Sequence, residues 1–280
     1  MDVAGLIRER RDVLSPAERR VADVVLRDPH AVAFGTVASV ATTADTSGGS
    51  VVRFTARLGF DGFAALQEQV QADLRSGGHQ AAERIRRTGD DDLLDRAVSV
   101  ATDAVHTTLE GVARRNFDAA VALVAARTRS VFVIAADASQ GIGQQFATEL
   151  AMLRTGVVHV QGSPVAVARS LAEITAGDVV VTLDLPRYDR WLLAAVEQAH
   201  TDGARIVALT NSELSPLAVR AEITFTVASD GAGPFDSHVA ALALLESLVA
   251  GVAVKLRRSA TERLGRIESS WKDAQALTDD

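Results

Sequence analysis

Ser130-Val-Phe-Val-Ile-Ala-Ala136 is an unbroken apolar run of strand length, closed by Asp137. A run without polar alternation implies a strand covered on both faces, as in a parallel sheet. Similar runs recur at 157–160, 178–183, 204–210 and 222–227, with helical patterns between them at about 139–155, 164–175, 189–201 and 236–258. Strand and helix alternating at this spacing predict an α/β fold, a doubly wound parallel sheet of five strands. The spacing does not itself set the strand order, for which a flavodoxin-like one is expected.

Upstream of this block, residues 93–127 are helical in pattern, with Leu93, Leu94, Val98, Val105 and Leu109 expected on the inner side. Residues 76–92, SGGHQAAERIRRTGDDD, hold glycine and charge and few large apolar groups, as a linker does. The chain therefore divides into an all-α domain at 1–77, a linker at 78–92 and an α/β domain at 93–280. Downstream, Val239, Leu242, Leu245, Leu248 and Val252 at helical spacing predict helices packed on the sheet, with Trp271 as a candidate interface anchor.

In the first domain Ser15-Pro16, with Glu18 three residues after the serine, gives a capping box and a proline at the first helical position. Asp28-Pro29 ends that helix. A short helix follows over 36–44, Asp45-Thr46-Ser47 breaks it, and a second runs over 48–58 to Gly59. A last helix covers about 61–75. Two short helices joined by a three-residue turn have the geometry of a helix-turn-helix. An ordinary helical hairpin fits the same pattern. On the second helix Val51, Phe54 and Leu58 face inward. Ser47, Gly48, Gly49 and Ser50 offer short polar groups at its start, and Arg53 and Arg57 lie four apart on the outer side. Guanidinium groups there reach phosphates or guanine edges, and an N-cap at Ser47 leaves first-turn N–H groups for a phosphate.

Composition bounds the rest. The chain has 280 residues and 48% hydrophobic content, enough for two cores. Its net charge is −7, yet residues 1–77 carry nine arginines against ten acidic residues, so DNA binding depends on where the arginines point. Without cysteine there is neither a disulfide framework nor a thiolate metal site. No apolar run approaches the ~18 residues of a membrane span, and the charged start MDVAGLIRERRD holds no signal-peptide core. A cytoplasmic protein without metal or cofactor is expected.

The strings LSPAERRVADVVLRDPHAVAF at 14–34 and SVVRFTARLGFDGFAAL at 50–66 resemble the N-terminal domain of RpiR-type transcriptional regulators. Residues 130–258 resemble SIS (sugar isomerase) domains in the order of elements, in Ser139 and in the string Thr210-x-Ser212-x-x-Ser215-Pro216-Leu217. The resemblance implies a homodimer or homotetramer on operator DNA, with a carbohydrate derivative or another anionic metabolite as effector. Gly48-Gly49 departs from the family, which more often has a charged or larger residue there. Two further departures fall in the sensor domain. The glycine-rich turn after the first strand is Ala135-Ala136-Asp137-Ala138, and the hydroxyl-rich phosphate cradle after the third strand is Asp184-Leu185-Pro186-Arg187-Tyr188-Asp189. Asp137 and Asp184 repel a phosphate dianion.

Candidate effector residues are Ser139, expected to cap a helix, then Asp184, Arg187, Tyr188 and Arg190, and finally Thr210, Ser212 and Ser215. Capping and turn chemistry explain the hydroxyls equally well. The arginines either clamp a ligand from a new direction or form an ion-pair network inside a dimer. Two alternatives to a ligand-responsive regulator remain at this point: a SIS-type sugar-phosphate isomerase or binding enzyme, and a regulator whose SIS domain only dimerises. No catalytic constellation stands out; Glu149, Glu173 and His238 are the candidate bases.

Overall fold

The computed structural model describes residues 3–278 apart from 11–12, 76–80, 82–83, 87–91, 186–187 and 214. Two compact units emerge, Met1–Gly89 and Asp90–Asp280.

The first unit contains α1 (Val3–Arg10), α2 (Pro16–Arg27), α3 (Pro29–Ala33), α4 (Val37–Thr43), α5 (Gly48–Arg57) and α6 (Gly62–Arg75). The capping box at α2 forms in both directions: Glu18 N–H donates to Ser15 Oγ at 3.4 Å and Ser15 N–H to Glu18 Oε2 at 2.8 Å. Thr36 and Ser39 make the same reciprocal pair at α4. Ile7, Val21, Val32, Val40, Val51, Phe54 and Leu66 fill the core between these helices. α1 and α3 lie outside the sequence expectation. Five residues are too few to show a period, and α3 is secured from outside itself. Asp28 Oδ1 caps it through Ala31 N–H at 3.0 Å, while Gln67 and Gln71 of α6 donate to the carbonyls of Val32 and Ala33.

The second unit runs α7 (Leu93–Gly111), α8 (Arg114–Ala125), β1 (Val131–Ala135), α9 (Gln140–Leu153), β2 (Val157–His159), α10 (Pro164–Ala172), β3 (Val179–Leu183), α11 (Arg190–Thr201), β4 (Arg205–Thr210), β5 (Ile223–Thr226), α12 (Val239–Lys255) and α13 (Arg257–Asp273). All strands are parallel in the order β2-β1-β3-β4-β5, with Val131 facing Val157 on one side and Val179 on the other. Both faces are covered, as the continuous apolar runs require. Val133, Val181, Leu183 and Leu209 pack with α8, α9 and α12; Phe132, Ile134, Val180 and Ile206 pack with α11 and Leu217. α9 presses so closely on β1 that a β-carbon on Gly143 would stand 2.8 Å from that of Ala135.

Residues 93–127 depart from expectation twice. Val112 and Ala113 are extended and break the stretch into α7 and α8. Leu93, Leu94, Val98 and Leu109, expected inside, lie on the surface at 46%, 82%, 67% and 38% exposure. Small residues turn inward in their place: Ala104 and Thr108 are buried, and Thr108 Oγ1 accepts Ala228 N–H at 2.9 Å. A period locates a stripe on a helix but not what covers it. The last helical stretch also divides, with α12 and α13 meeting at 103°. No single helix among the described residues is long and apolar enough to cross a membrane.

Candidate DNA-reading helix and effector site

α4 ends at Ala44, and the chain turns through Asp45, whose φ of +46° places it in the left-handed region. Arg20 of α2 latches this turn from below, donating from Nε to Ala44 O and from Nη2 to Asp45 O, both at 3.1 Å. Nothing in the sequence singles out Arg20 for this, because the contact spans 24 residues. α5 then starts at Gly48 with Ser47 as N-cap, its Oγ accepting Ser50 N–H at 3.3 Å. At the far end Gly59, φ +87°, closes a Schellman turn: Phe60 N–H reaches Thr55 O and Gly59 N–H reaches Ala56 O, each at 3.0 Å.

The expected contact residues separate on this helix. Ser47, Gly49 and Arg53 face solvent, and Gly48 is half-buried against Val37. Ser50 is buried instead of presented; its Oγ meets Ser47 Oγ at 3.1 Å and accepts Arg53 Nη2 at 3.0 Å. Arg57 stays exposed but is tied to the domain, with Nε 3.8 Å from buried Glu18 and its carbonyl accepting from Arg10. Burial alone would push the Glu18 carboxyl up. The hydrogen bonds from Ser15 and the charges of Arg57 and Arg53 outweigh this and hold it below the usual range.

The second candidate site lies at the carboxyl ends of β1, β3 and β4, where the strand order reverses between β1 and β3. Ser139 is buried and makes no side-chain cap. A 3₁₀ turn over Asp137–Ser139 leads into α9, and Ser139 Oγ instead meets His238 Nε2 at 2.9 Å, 99 residues away. Burial holds the His238 imidazole below its ordinary pKa against the opposing charge of Asp236. Asp184 is buried just past β3, where its Oδ2 accepts Asp189 N–H at 2.7 Å. Burial pushes its carboxyl up to about 7, the Asp189 charge adding to the rise and the backbone N–H groups of Asp189 and Leu185 opposing it. Asp189 Oδ2 in turn accepts the backbone N–H of Asp137 at 3.0 Å.

The other candidates are dispersed. Tyr188 donates from its hydroxyl to Asn211 Oδ1 at 2.6 Å, and Arg190 is exposed at the start of α11. Arg187 lies outside the described residues. Thr210, beside Asp184, is fully buried with no hydrogen-bond partner on Oγ1. Ser212 is buried, and Ser215 Oγ accepts Ala218 N–H at 3.2 Å, capping a 3₁₀ turn. No ion-pair network around Asp184 appears among the described residues. Sequence reasoning passed over Asp189 and left His238 undistinguished; their partners come from other strands and helices, so no local pattern marks them. No cluster of His, Cys, Asp or Glu fit for a metal ion occurs among the described residues.

A helix-turn-helix unit followed by a parallel sheet of this order defines a two-domain DNA-binding regulator. The chain belongs to the RpiR-type transcriptional regulators: residues 1–77 match the helix-turn-helix domain of the rpiR family and residues 125–251 match the SIS domain. It is 28% identical to the HTH-type transcriptional regulator HexR of Pseudomonas aeruginosa, over 94% of this chain and 93% of that one. It is 26% identical to the bifunctional protein glk of Burkholderia orbicola, over 98% of this chain but 42% of that longer protein. Among solved structures, NanR of Vibrio vulnificus complexed with ManNAc-6P superposes with a TM-score of 0.62 at 22% identity, over 99% of this chain and 100% of that one, a likeness of fold. The sugar isomerase domain of an RpiR transcription factor from Sphaerobacter thermophilus gives 0.59 at 26% identity, over 64% of this chain and 99% of that one.

Proposed function

We propose that the chain binds operator DNA as a homo-oligomer through Ser47, Gly48, Gly49 and Arg53 at the start of α5, and releases or reshapes its grip when a small sugar derivative enters the crevice at the strand ends. It works by binding and not by catalysis, in the cytoplasm, without metal or cofactor. The observation that carries the DNA reading is the α4–turn–α5 geometry with Arg53 outward. The helix N-terminus adds first-turn N–H groups for a phosphate. Binding to the DNA upstream of its own gene across a salt series tests it. Specific, salt-sensitive binding weakened by Arg53→Ala supports the reading; binding at only the non-specific level, also after random-site selection, overturns it.

The effector is read through its hydroxyls and carries no phosphate dianion at the Asp137 N–H. That donor is already taken by the Asp189 carboxylate, and a second carboxyl, Asp184, stands beside it. Carboxylates accept hydrogen bonds from sugar hydroxyls and repel phosphate, Asp184 adding its charge as pH rises past about 7. Ser139 and His238, joined to each other at 2.9 Å, are the further polar groups near this donor.

Two copies meet through the exposed face of α7. Leu94, Val98, Ala101, Thr102, Val105 and Leu109 are spaced symmetrically about the midpoint of 101 and 102. An antiparallel copy sets Leu94 on Leu109 and Val98 on Val105, the self-complementarity a two-fold interface requires. Small Ala101 and Thr102 at the centre let the helices approach. A groove of about 530 Å³ along this face, bounded also by Val239, gives room for the partner's side chains.

A further inference from the structure

α5 has two faces of different character. Ser50, Val51, Phe54, Thr55 and Leu58 are buried. Gly49, Val52, Arg53 and Ala56, at i, i+3, i+4 and i+7, are exposed. Of these four only Val52 and Arg53 reach beyond a methyl group; Arg57, one turn on and also exposed, is drawn toward Glu18. Val52 is 49% exposed and takes no part in the first unit's apolar cluster. A β-branched residue there contributes nothing to the core and is a poorer helix former than alanine by several tenths of a kcal/mol. The fold alone gives no reason for it.

The arginine beside it is turned away. Arg53 Nη2 is held by Ser50 Oγ at 3.0 Å, and Nη1 lies 3.5 Å from where a β-carbon on Gly49 would stand. The guanidinium thus runs back along the first turn and leaves the two methyl groups of Val52 uncovered. One turn to either side stand Gly49 and Ala56, which present at most one methyl and let the helix come close to whatever it faces. The edges of base pairs in the major groove offer one apolar group, the 5-methyl of thymine.

We propose that Val52 is a specificity-determining residue that seats its methyl groups against the 5-methyl of one thymine in each operator half-site. The proposal rests on α5 being the DNA-reading helix. It adds an apolar contact to the polar ones and assigns that contact to a residue outside the Ser-Gly-Gly-Ser and arginine positions.

The test uses the full-length protein and an operator obtained by random-site selection. Each thymine of a half-site is replaced singly by deoxyuridine, which removes only the 5-methyl, and affinity is measured for wild type and Val52→Ala. The expected result is one thymine per half-site whose replacement weakens wild type about 3- to 10-fold, the scale of one buried methyl contact, and leaves Val52→Ala unaffected. Because Val52 is exposed and alanine is the better helix former, Val52→Ala melts no lower than wild type. Overturning results are a site with no methyl-sensitive thymine, or one whose methyl matters equally to both proteins; in both, specific binding persists and only the role of Val52 is lost. If wild type selects no sequence at all, the DNA-reading role of α5 falls with it.

Discussion

Asp189 Oδ2 accepts the backbone N–H of Asp137 at 3.0 Å, so a carboxylate from the start of α11 occupies the donor at the entrance to α9. A fixed internal anion sits where an external one would be recognised. Millimolar glucose 6-phosphate is therefore expected to leave the melting temperature of wild type unchanged. Asp184→Ser combined with Asp189→Ser, which removes both carboxylates, is expected to gain a rise of a few degrees with the same ligand. A thermal shift of the wild-type protein by that phosphate would refute the blocked-cradle reading.

Asp184 makes stability depend on pH. Its carboxyl titrates at about 7 in the folded chain, against an ordinary value of 3.8. The folded state therefore holds the extra proton between these values, and stability falls as pH rises from about 4 to 7 before levelling off. The full cost at alkaline pH is at most ~4 kcal/mol. Asp184→Asn keeps an oxygen for Asp189 N–H and has no charge to bury. Its advantage in denaturant midpoint over wild type is expected to grow from pH 4 to 7 and then hold constant. A difference independent of pH would show that ionisation at this position is not the cause.

The Ser139–His238 contact joins the turn after β1 to the residue preceding α12. Burial favours the neutral imidazole, so its contribution to stability is complete above the ordinary histidine pKa of about 6.5 and is lost as pH falls through that value toward the lower folded one. His238→Gln is expected to remove this acid-side loss, read in melting curves between pH 7.5 and 5. The effector-induced change in DNA affinity should weaken as well, while affinity without effector stays as in wild type. Should His238→Gln keep both the pH dependence and the effector response, His238 has neither role.

Leu94 and Val98 stand 82% and 67% exposed on α7. Leu94→Asp with Val98→Asp places four like charges at a two-fold interface. Sedimentation velocity is expected to show the smaller species, and DNA affinity should drop at least 10-fold as the paired reading heads separate. The same oligomer in both proteins would exclude this face.

Arg53→Ala is expected to weaken binding to all sequences and to flatten the salt dependence by about one unit of log–log slope, if its contact is a phosphate. Arg57→Ala is expected to cost stability as well, since Arg57 lies beside the buried Glu18 carboxylate. Comparing the two in urea and in DNA titration separates reading from support. Equal melting temperatures for the two variants would contradict the division.

How much was legible follows from the range of the interactions. Ser15–Glu18, Ser47 and Gly59 act within a few residues, and each cap or turn stands where its local pattern places it. The five apolar runs became five parallel strands for the same reason, since burial on both faces leaves no polar alternation. Val112 and Ala113 broke a helix expected to run on, and the one local sign of it was Gly111 just before them. Leu94 and Val98 fell outside because Ala104 and Thr108 fit more closely against the rest of the unit, a choice made by the neighbour and not by the period.

By itself the sequence determined the two-part architecture, the parallel sheet and the short capped helices of the first unit, because hydrophobic periodicity and capping are local codes. The strand order and the choice of a helix-turn-helix over a plain hairpin came through the family resemblance. Only the tertiary structure decided that Ser139 meets His238 instead of capping α9, that Asp189 fills the Asp137 donor, that Arg20 latches the turn at Asp45 and that Ser50 is hidden while Val52 is shown. The first three are contacts between groups more than twenty residues apart. Such contacts form where folded surfaces converge, and the chain carries no short-range mark of them.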